Sequence, residues 1–280
     1  MNAFQTNGVL LNDEWCRFFR ENDWLVGISV DGPAELHDAY RVNRRGNSTH
    51  QKVLAAIEKL CIHQVSFNLL TVVNQQNSQQ PERVYRFLRA LGTPFLQFIP
   101  LVEQGNPSSV SDREWGTFLK AIFDLWVRED VGRVFVQLFD SMLGVWSGYP
   151  AQMCSLAERC GHAFALEANG DLYQCDHYVY PEYCLGNIHQ MPISVLNQTA
   201  AARAFGEIKH DSLTDECRQC SVLPLCNGDC PRHRLNGKSV LCEGYRDFFF
   251  HSAPYMRAMR DLIRHQRSPA ELMKQLRQSG

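Results

Sequence analysis

Four cysteines occupy one short stretch of this sequence: Cys217, Cys220, Cys226 and Cys230. Four others flank that stretch along the chain: Cys154, Cys160, Cys175 and Cys242. Four thiols this close in sequence can hardly all pair as unstrained disulfides. Thiolates are soft ligands that favour zinc or iron–sulfur clusters. The eight cysteines therefore predict metal binding, and they suffice for two sites with four thiolates each.

The spacing of these cysteines predicts an interleaved division between two sites. A run of closely spaced cysteines in a cluster protein can supply its last member to a neighbouring cluster. We therefore expect Cys230 to join the three upstream cysteines, while Cys242 completes the set formed by the rest of the loop. Structural zinc remains open as an alternative, because Cys-x-x-Cys pairs serve zinc equally well. A disulfide framework is disfavoured, because the first residues show no secretory signal pattern, and we expect a cytoplasmic protein.

The length, net charge and apolar runs of the sequence indicate its domain number and which partners are not expected. A chain of 280 residues can bury one large core and a smaller one, and we place the boundary between residues 148 and 149. The formal net charge of -2 gives no general attraction to phosphate backbones, so nucleic acid is not an expected partner. No apolar run is long enough to span a bilayer, so no membrane association is expected.

Apolar runs alternate with helical patterns through the first half of the chain. The predicted helices cover residues 12–22, 49–63, 81–91 and 111–129, and the predicted strands cover residues 25–31, 66–73, 94–102 and 133–138. This alternation predicts an α/β fold with parallel strands, either an open sheet or part of a barrel. Ligands of such folds bind at the carboxyl ends of strands, which draws attention to Asp31, Asn74 and Glu103.

A hairpin is predicted over residues 161–175, around the turn signal Asn169-Gly170. It ends at Cys175, and Asp176 follows directly. This order places a carboxylate beside a metal site, although the residue type alone favours a surface turn. A further helix is predicted over residues 245–267.

The cysteine pattern, together with Gly170-Asp-Leu-Tyr-Gln-Cys175, resembles the twin-cluster domain of SPASM radical S-adenosylmethionine enzymes. Four more motifs narrow the resemblance to the anaerobic sulfatase-maturating enzymes: Gln5-Thr-Asn-Gly8, Ile28-Ser-Val-Asp-Gly-Pro33, Glu35-Leu-His-Asp-Ala-Tyr-Arg41 and Cys175-Asp-His-Tyr-Val179. The resemblance covers nearly the whole chain and favours iron–sulfur over zinc. It implies a partial (β/α) radical SAM barrel lacking its first strands over residues 1–148. A small cysteine-rich α+β SPASM domain with a C-terminal helix is implied over residues 149–280.

The resemblance also implies an activity, which is oxidation of a cysteine or serine in a sulfatase polypeptide to formylglycine. Asp176 matches the family's proton acceptor, and a carboxylate can take the proton of a thiol or hydroxyl as that group is oxidised. Ser29, Arg41 and Val102 match positions that contact S-adenosylmethionine. The implied ligands of two auxiliary [4Fe–4S] clusters are Cys154, Cys160, Cys175 and Cys230 for the first, and Cys217, Cys220, Cys226 and Cys242 for the second. A flavodoxin or ferredoxin is the implied electron donor.

One departure from the family pattern changes what this sequence is expected to do. The family's Cys-x-x-x-Cys-x-x-Cys motif and the Gly-Gly-Glu motif after it are both absent. We therefore expect an N-terminally shortened form, in which the third, radical-generating cluster belongs only to a full-length protein and the chain alone starts no radical. Two alternative functions remain open. The chain could be another SPASM enzyme that modifies a peptide, or a noncatalytic metal-binding or electron-transfer module.

Overall fold

The computed structural model describes residues 2–161 and 163–278 and divides the chain into two compact units. The first unit comprises Met1–Ser147 with Glu243–Gly280, and the second comprises Gly148–Cys242. By packing, the last two helices therefore belong with the first unit, apart from Cys242. The functional division of the sequence at residues 148 and 149 stays a prediction.

The first unit is built around one five-stranded parallel sheet in the order β1-β2-β3-β4-β5. Its strands are Asn2–Thr6 (β1), Trp24–Ser29 (β2), Phe67–Val73 (β3), Phe95–Pro100 (β4) and Phe135–Val136 (β5). Its helices are Asp13–Glu21 (α1), Ala34–His37 (α2), His50–Ile62 (α3), Pro81–Leu88 (α4), Asp112–Glu129 (α5) and Gln137–Trp146 (α6), with Cys242–Arg264 (α11) and Glu271–Gln278 (α12) closing the chain. The predicted α/β fold with a parallel sheet is confirmed.

Local sequence signals explain where several of these helices begin. The Asn12 side chain accepts a hydrogen bond from the Trp15 backbone N–H at the start of α1. Ser111 and Glu114 form a reciprocal capping box at the start of α5. Pro81 lies in the first turn of α4. A backbone N–H in this turn would make no hydrogen bond within the helix, so proline is tolerated there.

Helix α11 packs closely against α5 at a pair of glycines. A Cβ atom added to Gly244 would lie 1.9 Å from the carbonyl oxygen of Asp112, and one added to Gly116 would lie 2.8 Å from the Gly244 Cα atom. Phe123 and Phe248, one from each helix, meet edge to face with ring centroids 5.8 Å apart. The two glycines thus allow the close approach that buries the aromatic core of this unit.

Two features of the sheet differ from the sequence prediction. The strand predicted over residues 133–138 is only two residues long, because helix α6 begins at Gln137. Leu138, Phe139 and Met142 have helical spacing, and all three are buried. The apolar residues that suggested a strand therefore form the buried face of helix α6. Strand β1 was not predicted, and it pairs in parallel with β2 at the sheet edge.

The second unit has short strands and short helices. Ala165–Leu166 (β6), Asp171–Tyr173 (β7) and Cys184–Asn187 (β8) form an antiparallel sheet, while Arg234–Leu235 (β9) pairs with Lys238–Ser239 (β10). The helices are Ile193–Leu196 (α7), Ala200–Asp211 (α8), Asp215–Arg218 (α9) and Leu223–Cys226 (α10). The predicted hairpin is formed by β6 and β7, with Gly170 at φ +90° in the turn. His162, within the predicted hairpin, lies outside the described residues.

No helix within residues 2–161 and 163–278 combines the length and the apolar character needed to cross a membrane.

Candidate active site and metal centres

A left-handed turn separates the last two cysteines of the loop. Asn227, Gly228 and Asp229 have φ values of 44°, 72° and 59° in succession. A Cβ atom on Gly228 would lie 2.5 Å from the Leu213 side chain and 2.6 Å from that of Arg234, so only glycine fits this position. This turn redirects the chain after Cys226, and Cys230 thereby faces a different set of neighbours.

The neighbours of Cys230 come from the upstream part of the unit. Burial raises the pKa of the Cys230 thiol to about 11, and the negative groups that add to this shift are Asp229, Cys160 and Cys154. The pKa of Cys175 is raised to about 12, mainly by burial, and Cys230 is among the negative groups that contribute. Cys230 thus lies within electrostatic range of Cys154, Cys160 and Cys175, and all four are free cysteines.

Cys226 has a separate set of sulfur neighbours. Burial raises the pKa of its thiol to about 11, and Cys220 and Cys242 are the sulfur groups that add to the shift. The Gly228 backbone N–H donates to the Cys226 sulfur at 3.4 Å. Cys217 is buried in α9, where its backbone N–H donates to Thr214 Oγ1 at 3.2 Å, and the Cys220 N–H donates to its carbonyl.

These two thiol sets fit the chemistry of iron–sulfur clusters. Clusters of the [4Fe–4S] type take four thiolates each, and backbone N–H donors to sulfur are among the groups that set their properties. A buried thiol with a raised pKa stays protonated at neutral pH unless a metal replaces its proton. The division into two sets of four and the assignment of individual ligands both remain predictions.

Two histidines also approach Cys230, which the sequence analysis did not anticipate. The ligand atoms of His177, Cys230 and His233 all lie within 4.8 Å of one another, and His177 Nδ1 is 3.6 Å from the Cys230 sulfur. His233 is held by Asp229, whose Oδ2 lies 2.9 Å from His233 Nδ1 and accepts a hydrogen bond from Ser239. The sequence signal was the Cys-x-x-His spacing after the turn, which is too common to single out alone.

Asp176 lies directly beside this first thiol set. The Cys175 sulfur donates to Asp176 Oδ1 at 3.1 Å, and Asp176 opens a short 3₁₀ turn after β7. The Asp176 side chain is exposed, whereas Cys175 is half-buried. A carboxylate in this position can accept a proton from a group that approaches the thiol set from solvent.

A second polar site lies at the carboxyl edge of the parallel sheet in the first unit. Asp31 follows β2 and forms a bidentate ion pair with Arg41, with Arg41 Nε 2.5 Å from Oδ2 and Nη2 3.1 Å from Oδ1. The Val72 backbone N–H also donates to Asp31 Oδ1 at 2.9 Å. Asn77 fastens β2 to β3, because its amide donates to the backbone carbonyls of both Asp31 and Val72.

The backbone around Arg41 is fixed by a hydrogen-bond relay through His37. Burial lowers the pKa of His37 to about 4, so its ring is neutral at pH 7. Its Nδ1 accepts the Asp31 backbone N–H at 3.3 Å, and Nε2 lies 3.1 Å from Thr49 Oγ1. Thr49 Oγ1 in turn donates to the Arg41 carbonyl at 2.6 Å. The relay holds the Arg41 backbone in place, while the ion pair with Asp31 holds the Arg41 side chain.

The structure places the other predicted cofactor contacts at the same edge of the sheet. Ser29 is the last residue of β2, and Val102 follows the end of β4 by two residues. Both are half-buried, as is Arg41. Because β2, β3 and β4 are parallel neighbours, their carboxyl ends share one edge.

Comparisons with known proteins agree with this geometry. The SPASM iron–sulfur cluster-binding domain matches residues 154–221. The serine-type anaerobic sulfatase-maturating enzyme of Bacteroides thetaiotaomicron is 43% identical, with 99% of this chain and 73% of that protein covered. This chain belongs to the anaerobic sulfatase-maturating enzymes.

Two further relatives of this maturase-family chain extend the comparison. The cysteine-type anaerobic sulfatase-maturating enzyme of Clostridium novyi is 34% identical over 88% of this chain and 70% of that protein. A solved structure described as native anSMEcpe with bound AdoMet has a TM-score of 0.85 and 32% identity, covering 93% of this chain and 74% of that chain. The predicted family, its radical SAM oxidoreductase class and its SPASM domain are thereby confirmed, and formylglycine formation is the known role of the family.

Proposed function

We propose that this maturase-family chain oxidises a cysteine or serine side chain of a sulfatase polypeptide to formylglycine, with Asp176 as the proton acceptor. The observation that carries this assignment is the contact between Asp176 and Cys175, because it joins a carboxylate to one of the predicted cluster ligands. A bound [4Fe–4S] cluster at Cys154, Cys160, Cys175 and Cys230 supplies a one-electron acceptor there.

Proton acceptance by Asp176 balances the reaction. When a hydrogen atom has left the substrate Cβ, loss of one electron and of the thiol or hydroxyl proton completes a two-electron oxidation to the thioaldehyde or aldehyde. Asp176 is exposed, so a polypeptide side chain can reach it, and its neighbouring cluster ligand places the electron acceptor beside the base. A thioaldehyde then exchanges its sulfur for the oxygen of water to give the same formylglycine.

The sheet edge of the first unit is proposed to bind S-adenosylmethionine. Two of the five N–H groups of the Arg41 guanidinium donate to Asp31, and the other three can donate to a carboxylate of the cofactor. The Ser29 hydroxyl is proposed to reach the ribose, and Val102 to contact the adenine through its apolar surface. A neighbour at 32% identity carries AdoMet, which supports this placement.

Sulfatase polypeptides are the proposed substrates, and a flavodoxin or ferredoxin is the proposed electron donor. The relatives include both serine-type and cysteine-type enzymes, and one solved neighbour is described with a bound Kp18Cys peptide. We propose a cytoplasmic location, because a reducing compartment keeps closely spaced cysteines available as thiolates.

The Asp176 assignment is tested by Asp176→Asn, with Asp211→Asn as the matched control. Asp211 is also exposed, and it is the last residue of α8 in the same unit. Each variant is made in a form of this chain that also carries the family's Cys-x-x-x-Cys-x-x-Cys motif, and it is assayed with a sulfatase peptide. For Asp176→Asn we expect peptide oxidation to fall by about a hundredfold, while cleavage of S-adenosylmethionine continues. Equal peptide oxidation by both variants would remove Asp176 from the mechanism.

A further inference from the structure

Lys209 is a fully buried lysine in the second unit, and neither the sequence motifs nor the proposed reaction uses it. It lies in α8 with 0% of its surface exposed. Its ammonium donates to the carbonyl oxygens of Cys154 at 2.9 Å and Ser155 at 2.8 Å. Burying an ammonium group costs free energy unless nearby groups compensate its charge. The groups around Lys209 therefore indicate its role.

The surroundings of Lys209 belong to the first thiol set. The charged groups that face it are Cys160, Asp229, Arg234 and Cys230. Helix α8 also holds the second cysteine of the set, because the Cys160 backbone N–H donates to the Gly206 carbonyl at 3.0 Å. Lys209 thus contacts the backbone of one predicted ligand, Cys154, and lies on the helix that also binds the backbone of Cys160.

Arg234 brings a second cation toward the same set. Its guanidinium donates to the carbonyls of Gly228 and Lys209 at 2.8 Å and 2.9 Å. Cys226 of the second thiol set instead accepts a hydrogen bond from the Gly228 backbone N–H at 3.4 Å.

We propose that the buried ammonium of Lys209 stabilises the reduced state of the first auxiliary cluster and so makes that cluster a better electron acceptor. The inference rests on the proposed ligands Cys154, Cys160, Cys175 and Cys230. Reduction adds one electron, and hence one negative charge, to a centre that four thiolates already make anionic. In the proposed reaction this electron comes from the substrate radical, whose proton goes to Asp176. A nearby cation in a low-dielectric interior favours the state with more negative charge.

The test separates the charge of Lys209 from its hydrogen bonds. Lys209→Arg keeps the charge, and Lys209→Gln removes the charge but keeps an N–H donor for the Cys154 carbonyl. The cluster-loaded chains are purified without oxygen, and the midpoint potential of each auxiliary cluster is measured by titration monitored with electron paramagnetic resonance. The signal of the first cluster is the one that survives Cys226→Ala.

For Lys209→Gln we expect the reduction equilibrium of the first cluster to become about tenfold less favourable, a shift of about 59 mV to more negative potential. Lys209→Arg should stay near the wild-type potential, and the second cluster should shift much less in both variants. An unchanged potential in Lys209→Gln, or an equal shift in both variants, would overturn the proposal. Loss of the first cluster from both variants would also overturn it, because Lys209 would then act only by holding the Cys154 segment.

The wild-type chain distinguishes failure of this inference from failure of the ligand assignment. If the wild type carries no cluster at the first thiol set, the proposed ligands are wrong. If the wild type carries that cluster and Lys209→Gln leaves its potential unchanged, only the role of Lys209 is wrong.

Discussion

The ion pair between Asp31 and Arg41 provides a quantitative test of the sheet-edge site. The Asp31 side chain is 3% exposed, and the Arg41 side chain is 24% exposed. Arg41→Met keeps the apolar stem but leaves the Asp31 carboxylate buried, with the Val72 N–H as its remaining donor among the contacts described above. Removing one partner of a buried pair costs about 3–5 kcal/mol, because the other charge is left uncompensated.

An exposed pair in the same unit serves as the control. Arg83 pairs with Glu35, and both side chains are about half exposed. Arg83→Met should therefore destabilise the unit by less than about 1 kcal/mol. A second control is the double variant Asp31→Asn with Arg41→Met, which removes the buried charge and should recover part of the lost stability.

Urea unfolding followed by tryptophan fluorescence reports on this unit selectively. All five tryptophans of the chain, at positions 15, 24, 115, 126 and 146, lie in the first unit. With an unfolding slope of about 2 kcal/mol per molar urea, a loss of 3 kcal/mol lowers the midpoint by about 1.5 M. Equal midpoints for Arg41→Met and Arg83→Met would refute the argument that Asp31 and Arg41 form a buried, stabilising pair.

Three further predictions concern a buried carboxyl, a helix contact and a cluster ligand. Burial raises the pKa of Asp140 to about 7. Between about pH 4 and pH 7 the Asp140 carboxyl is therefore protonated in the folded state but ionised in the unfolded state. The free energy of unfolding consequently falls as pH rises through this range. Asp140→Asn should therefore stabilise the first unit by up to about 4 kcal/mol at pH 8 but little at pH 4, and equal effects in urea unfolding at both pH values would contradict this. Gly244→Ala should lower stability by about 1–3 kcal/mol through its clash with Asp112, whereas Gly144→Ala, which meets no atom within 4 Å, should raise it by up to about 1 kcal/mol; calorimetry of the two variants checks the difference. Cys242→Ala should reduce bound iron by about four atoms per chain, and an unchanged iron content would show that Cys242 is not a ligand.

The α/β fold of the first unit could be predicted from the sequence because its strands are strongly apolar runs between clear helical patterns. Strands β2, β3 and β4 and helices α1, α3, α4 and α5 lie within a few residues of their predicted bounds. Asp31 was expected at the carboxyl edge of the sheet, and the structure places it there. Its pairing with Arg41 depends on the relay through His37 and Thr49, which no periodic pattern reveals.

The environment of the cysteines could be predicted only in part. Spacing indicated that Cys230 separates from the rest of its loop, and the left-handed turn over residues 227–229 gives the physical reason. Helix α8 escaped prediction because its buried positions Ala202, Phe205 and Gly206 make a weak apolar pattern. The sequence pattern did not indicate that Lys209 is buried, because its burial depends on contacts with the distant Cys154 segment.

The most direct test of the account is the metal content of this chain purified without oxygen, measured together with acid-labile sulfide and the visible absorption spectrum. Two four-thiolate clusters predict about eight irons and a matching amount of sulfide per chain, with a brown colour. About two zinc ions in a colourless protein would contradict the cluster assignment for both thiol sets.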